Sequence, residues 1–242
     1  MKKYKILGAI CFHIETVESS KKYIKDLISE NEGGYSTAIN AEKIMMYSKD
    51  AEMKNIIDNS VLPVPDGSGA VIGMKFLHNV SSIRLDLPKT IFELSNEEAY
   101  NLFILGSSED INTIAVKELK IKYPNINIVG RHSGYFEDEN KIIDLLKESK
   151  PQIVMVALGS PKQEKFAAKI NNILPNILFI GCGGALDILA GKITRAPRFF
   201  QNNHIEWLYR LTLEPKRIKR QKILPVYLFR LIIETLKRKF IK

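Results

Sequence analysis

The sequence predicts an α/β fold: a Rossmann-like, mostly parallel sheet with flanking helices, joined to a basic helical C-terminal appendage. Three observations carry this reading. Short apolar runs at 102–105, 152–158 and 177–180 alternate with helical stretches of about ten or more residues, the pattern of a doubly wound sheet. Apart from Gln152 those runs are continuously apolar, as strands covered on both faces are. The formal charge of +9 lies wholly at one end: residues 198–242 carry twelve Lys and Arg against three Asp and Glu, leaving 1–197 neutral. The division into a core at 1–197 and an appendage at 198–242 follows from that shift.

In chain order, the Lys-flanked apolar start reads as the first strand. Its apolar run is short, includes His13 and lacks a small-residue cleavage site, unlike a signal peptide. Helical spacing follows at 16–28, with Thr16 as cap, then a turn at 31–34 and a strand at 35–40. Helices open at Ala41 and Ala51. The run 61–69, VLPVPDGSG, reads as a strand ending in a glycine-flanked Asp66. Beyond Tyr100 the expected elements are a strand at 102–105, a helix at 109–123, a strand at 126–129 ending at Gly130 and a turn at 134–136. A helix at 140–149, a strand at 152–158, a helix at 162–173 and a strand at 177–180 follow. Helical spacing returns at 205–213, a basic run at 216–222 and a basic amphipathic segment at 225–242.

Two corners concentrate chemistry-bearing residues. IVMVALGSPKQEK (153–165) is a strand–turn–helix unit that presents Ser160, Lys162, Gln163 and Glu164 at a strand's carboxyl end, the edge where open α/β sheets bind ligands. A helix N-terminus there favours phosphate, although Gly-Ser-Pro also serves simply to start a helix. At the second corner Asp66 stands beside Gly67 and Gly69. It reads as a general base or as an ordinary turn aspartate, and the corner alone favours the turn. The Gly-Ser-Ser at 106–108 and the glycines Gly181, Gly183 and Gly184 match neither the dinucleotide nor the P-loop pattern. Cys11 and Cys182 lie in apolar runs and read as buried, reduced thiols. The four His residues form no ligand pattern, so no metal site is expected.

No stretch reaches the ~20 apolar residues of a membrane span. The segment 225–242, with Tyr227, Leu228, Leu231, Ile232 and Leu236 at helical spacing among basic residues, suits an anionic membrane surface. Packing on the core and nucleic-acid binding compete with that reading. The few aromatics, not interleaved as stacking platforms, disfavour nucleic acid.

Five motifs in order, VPDGSG (64–69), NIVGRHSGYF (127–136), GSPKQE (159–164), GCGGALDILAGKITRAPRFF (181–200) and EWLYRLTLEPKRIKRQ (206–221), resemble the bacterial WecG/TagA/CpsF glycosyltransferases over about residues 5–222. The resemblance implies an inverting transferase. It would move N-acetylmannosamine or its uronic acid from a UDP-sugar donor to N-acetylglucosamine on undecaprenyl diphosphate, in the synthesis of teichoic acid, enterobacterial common antigen or capsule. It places Asp66 as general base, with Gln163 and Asn40 beside it in the catalytic group, and Arg210, Arg217 and Arg220 as appendage arginines closing on a diphosphate. Thr37, Arg84, Ser160, Lys162, Glu164 and Gly183 complete the expected substrate contacts. No cofactor or metal is implied, because no D-x-D motif is present.

The resemblance also implies a cytoplasmic enzyme, peripheral on the inner face of the plasma membrane and compatible with homo-oligomers. Two segments depart from the family pattern. The T-x-N threonine is Ala38 here, with Thr37 one place early. The R-V-x-G-x-D-L segment reads SSIRLDL at 81–87, so its arginine falls on Ser81 or, with a gap, on Arg84. A non-catalytic module that only binds nucleotide sugar is the competing reading.

Overall fold

A computed structural model describes residues 1–194, 196, 197, 200, 209, 211 and 222–240. Arg210, Arg217, Arg220 and most of the helix expected at 205–213 lie outside the described residues, as does the basic run apart from Lys222. The strands of the main sheet are β3 (Gly34–Ile39), β4 (Leu62–Pro65), β5 (Asn101–Gly106), β6 (Asn127–His132), β7 (Ile153–Ala157) and β8 (Leu178–Gly181). They stand in the order β4-β3-β8-β7-β5-β6, and every neighbouring pair is parallel. The α/β class with a parallel sheet is therefore as the sequence predicts.

The helices that the described residues delimit are α1 (Val17–Ser29), α2 (Ala41–Tyr47), α3 (Ala51–Asp58), α4 (Gly67–His78), α5 (Leu87–Glu98), α6 (Glu109–Lys122), α7 (Glu139–Ser149), α8 (Lys162–Asn171), α9 (Ala185–Leu189) and α10 (Ile223–Phe240). Strand alternation sorts the core into two layers. Leu102 and Ile104 of β5 face Ile91 of α5, Leu119 of α6 and Leu186 of α9. Phe103 and Leu105 face Ile142 of α7 and Phe166 and Ile170 of α8. Covering both faces is what makes these strands continuously apolar in sequence.

Three expectations need correction. The first strand is a hairpin outside the main sheet, β1 (Lys3–Ile6) and β2 (Ala9–Phe12), paired antiparallel. Leu7 (φ 48°) and Gly8 (φ 99°) turn it, a two-residue left-handed turn that suits a twisted hairpin. The strand expected to end at Gly130 runs through it to His132. A Cβ at Gly130 would come within 2.6 Å of the Phe103 ring, so this glycine marks close packing and not a strand end. Gly67 and Gly69, read as a turn, belong to the first turn of α4.

A third core cluster unites the hairpin, α2, α4 and α10. Tyr227 and Leu231 of α10 are buried against residues that include Ile44, Met45 and Met74. Core packing, one of the competing readings of this segment, thus accounts for one face of α10. Its opposite face leaves Val226, Phe229, Ile233, Leu236 and Phe240 exposed, with Phe240 at 84%. Among the described residues no helix is long and apolar enough to cross a membrane.

Candidate active site

All six parallel strands point their carboxyl ends the same way, and the turns that follow line one open cavity of about 1550 Å³. Asn40 follows β3, Asp66 follows β4, Ser107 follows β5, Ser160 follows β7 and Gly183 follows β8, each on the cavity wall. This is where a doubly wound sheet places its ligand.

Asn40 and Asp66 are brought together by sheet register. Ile39 and Pro65 are partners across β3 and β4, so both chains leave the sheet at the same level, and the Asp66 N–H donates to the Ile39 carbonyl (2.8 Å). Helices α2 and α4 then start side by side. A Cβ at Gly69 would lie 3.0 Å from Ala41, so glycine there lets the two helix starts approach.

The two residues occupy equivalent N-cap positions but use them differently. Asn40 Oδ1 accepts from the Lys43 N–H (3.0 Å), which commits its oxygen to the cap and leaves its Nδ2 donor for a ligand. Asp66 makes no side-chain cap bond, and its carboxylate stands exposed at the cavity. The other aspartates that cap described helices, Asp50, Asp86 and Asp138, all accept a backbone N–H. Asp66 is thus a carboxylate with the opportunity to satisfy its helix and no bond spent on doing so.

Gln163 reaches the site from the first turn of α8. Its Oε1 accepts from the Gly183 N–H (3.2 Å), and its Nε2 donates to Glu164 Oε1 (3.2 Å). Gly181 makes room: a Cβ there would lie 2.6 Å from Nε2. Gly181→Ala is therefore expected to displace the Gln163 amide, a flexible side-chain end, at little cost in melting temperature. Misplacing a positioned group by about 1 Å lowers turnover roughly 10- to 100-fold. Paired thermal melts and steady-state kinetics check this, and unchanged kcat would refute it.

Arg84 lines the cavity, whereas Ser81 turns its carbonyl to His13 Nε2 (2.9 Å), so of the two aligned candidates the structure places Arg84 at the site. Three expected contacts are not on the wall. Thr37 is fully buried, with an unpartnered Oγ1. Lys162 lies over the Phe136 ring. Glu164 is turned inward, 2% exposed, in an ion pair with Lys43. The period-2 alternation of β3 and the 100° steps of α8 aim these side chains away from the edge.

Sequence reasoning missed Lys43, whose signal was one charge among the inward apolar residues of α2. Tyr227, in sequence only one apolar position of the C-terminal segment, lines the cavity, and its hydroxyl donates to the Gly69 carbonyl (2.7 Å). Cys182 lines the cavity, but burial pushes its thiol up to about 12. The native protein should resist iodoacetamide at pH 8 and react once denatured, as mass spectrometry would show. Rapid native alkylation would refute the burial. Among the described residues no three His, Cys, Asp or Glu side chains gather as a metal ion would need.

The description "Glycosyl transferase WecG/TagA/CpsF family" matches residues 4–240, essentially the whole chain. The chain belongs to this glycosyltransferase family. It is 30% identical over 218 residues to an N-acetylglucosaminyldiphosphoundecaprenol N-acetyl-beta-D-mannosaminyltransferase of Bacillus subtilis (strain 168), covering 89% of this chain and 85% of the relative. The Bacillus spizizenii (strain ATCC 23059 / NRRL B-14472 / W23) protein of the same name is 29% identical over 203 residues, covering 83% and 79%. As a member of the family the chain is a transferase, and the cavity is where its chemistry is to be sought.

Proposed function

We propose that this glycosyltransferase moves an N-acetylmannosamine-type sugar from UDP to N-acetylglucosamine carried on undecaprenyl diphosphate, with Asp66 as general base. The carrying observation is the uncommitted Asp66 carboxylate on the cavity wall beside Asn40, in the cavity that Gln163 and Gly183 also line. The acceptor hydroxyl oxygen attacks the anomeric carbon as Asp66 takes its proton. The bond to the UDP oxygen breaks on the opposite face, UDP departs with the electron pair, and configuration inverts.

Amide donors from Asn40 and Gln163 suit the hydroxyl and acetamido oxygens of the sugars. Arg84 on the cavity wall, with Arg210, Arg217 and Arg220 from the appendage, suits the diphosphates of donor and acceptor. Charge neutralisation by arginine, without a metal or other cofactor, stabilises the leaving UDP.

The lipid acceptor calls for a membrane surface. The exposed apolar face of α10, with Arg230 and Lys237 beside it, supports peripheral attachment to anionic lipid on the cytoplasmic side. The test is UDP release by purified protein in EDTA. It would be supplied in turn with UDP-N-acetylmannosamine, its uronic acid and UDP-glucose, each with a prenyl-diphosphate N-acetylglucosamine. Release with one N-acetylmannosamine-type donor is the expected result. Silence with every donor, alongside tight UDP binding, would replace the reading with a binding module.

A further inference from the structure

We propose that the buried Lys43–Glu164 ion pair is a brace that positions Gln163 and Asn40 for transfer. The inference rests on the reaction proposed above for its kinetic consequence but not for its geometry. Lys43 Nζ lies 2.6 Å from Glu164 Oε1, with the two side chains 4% and 2% exposed. Lys43 Nζ also donates to the Ala38 carbonyl (3.0 Å), and its backbone N–H is the one that Asn40 caps. Glu164 Oε1 in turn accepts from Gln163 Nε2. One pair of charges therefore ties the β3–α2 corner, which carries Asn40, to the first turn of α8, which carries Gln163.

Chemistry makes this connection directional. An ionised carboxylate only accepts hydrogen bonds, and the Gly183 N–H only donates. Placed on either side of the Gln163 carboxamide, they admit one orientation, with Oε1 to Gly183 and Nε2 to Glu164. That nitrogen keeps a second N–H, and Gln163 lines the cavity. Lys43, facing Glu164 in a site closed to water, is the counter-charge that a buried carboxylate requires.

Stability is a weak explanation for the pair. Burying two charges costs more than an apolar pair of similar volume, and such replacements are often neutral or stabilising. Glu164 Oε2 is moreover left buried without a partner, so the geometry is not optimised for the carboxylate's own satisfaction. What the pair supplies, and an apolar pair cannot, is a fixed acceptor beside Gln163.

Two variants test this. Glu164→Gln keeps the volume but lets the new amide donate or accept, freeing Gln163 to rotate. Lys43→Met with Glu164→Leu removes both charges and restores packing. Both are expected to lower kcat about 10- to 100-fold with donor and acceptor KM within about threefold, the double variant melting at or above wild type. An activity-independent readout is the Gln163 side-chain amide in 15N NMR, identified by its loss in Gln163→Glu. It should give one slowly exchanging proton pair in wild type, lost or doubled in both variants.

A double variant with wild-type kcat, or an unchanged Gln163 amide in Glu164→Gln, overturns the brace. Should wild type release no UDP from any donor while the amide behaves as expected, the brace stands and the reaction assigned to the site falls.

Discussion

Asp66→Asn is expected to lower kcat roughly 100- to 10,000-fold, the contribution of a positioned general base, while leaving the fold and UDP binding intact. The expectation of an intact fold comes from what Asp66 does not do. Its side chain makes no bond to the start of α4, so replacing the carboxylate by the isosteric amide deprives the helix only of a favourable charge near its N-terminus. That is worth about 0.3–1 kcal/mol. Asp50, which accepts from the Met53 N–H at the start of α3, is the control. Asp50→Ala should cost about 1 kcal/mol of stability and leave kcat alone. Measuring UDP release and thermal unfolding for both variants gives opposite signatures. Wild-type turnover in Asp66→Asn would remove Asp66 from the chemistry.

The fold was legible in the sequence where burial is uniform. Strands β5, β7 and β8 are covered on both faces, so their continuous apolar runs mark them within a residue or two. Legibility failed where a local signal had a second meaning. Gly130 looked like a strand end and is a gap for the Phe103 ring, and Gly67 and Gly69 looked like a turn and open α4. The amino-terminal apolar run looked like a sheet strand because a hairpin and a strand share residue preferences until the Leu7–Gly8 turn is placed. The site was half legible. Asp66, Asn40, Gln163, Ser160 and Gly183 reach the cavity because they follow strand ends or sit on the first turn of a helix, and Arg84 reaches it from the segment that joins α4 to α5. Thr37, Lys162 and Glu164 belong to the same short motifs, but the rotation of strand and helix turns them elsewhere. Motif membership places a residue near the site, and orientation decides whether it faces in. The Lys43–Glu164 pairing joins positions 121 residues apart, which no local reading of either helix reveals.

The two faces of α10 should separate in experiment. Tyr227→Ala removes a ring that is 1% exposed, together with the hydroxyl that satisfies the Gly69 carbonyl. Aromatic-to-alanine changes in cores cost about 3–5 kcal/mol, so a melting temperature lower by several degrees or more is expected. Tyr227→Phe, which keeps the ring, should recover most of that loss. Phe229 and Phe240 lie on the other side, 64% and 84% exposed, and changing both to Ser should leave the melt unchanged. The same double change should weaken co-sedimentation with anionic vesicles at least tenfold, because a buried aromatic is worth about 1.5–3 kcal/mol. Binding should also fall with salt and on replacing anionic by neutral lipid, since each nearby Lys or Arg contributes about 1 kcal/mol at a charged surface. A helix needs one apolar stripe to dock on its own protein. The second stripe on α10 is exposed and contributes nothing to the melt, so an outer-face variant that unfolds the protein and still binds vesicles would reverse the assignment.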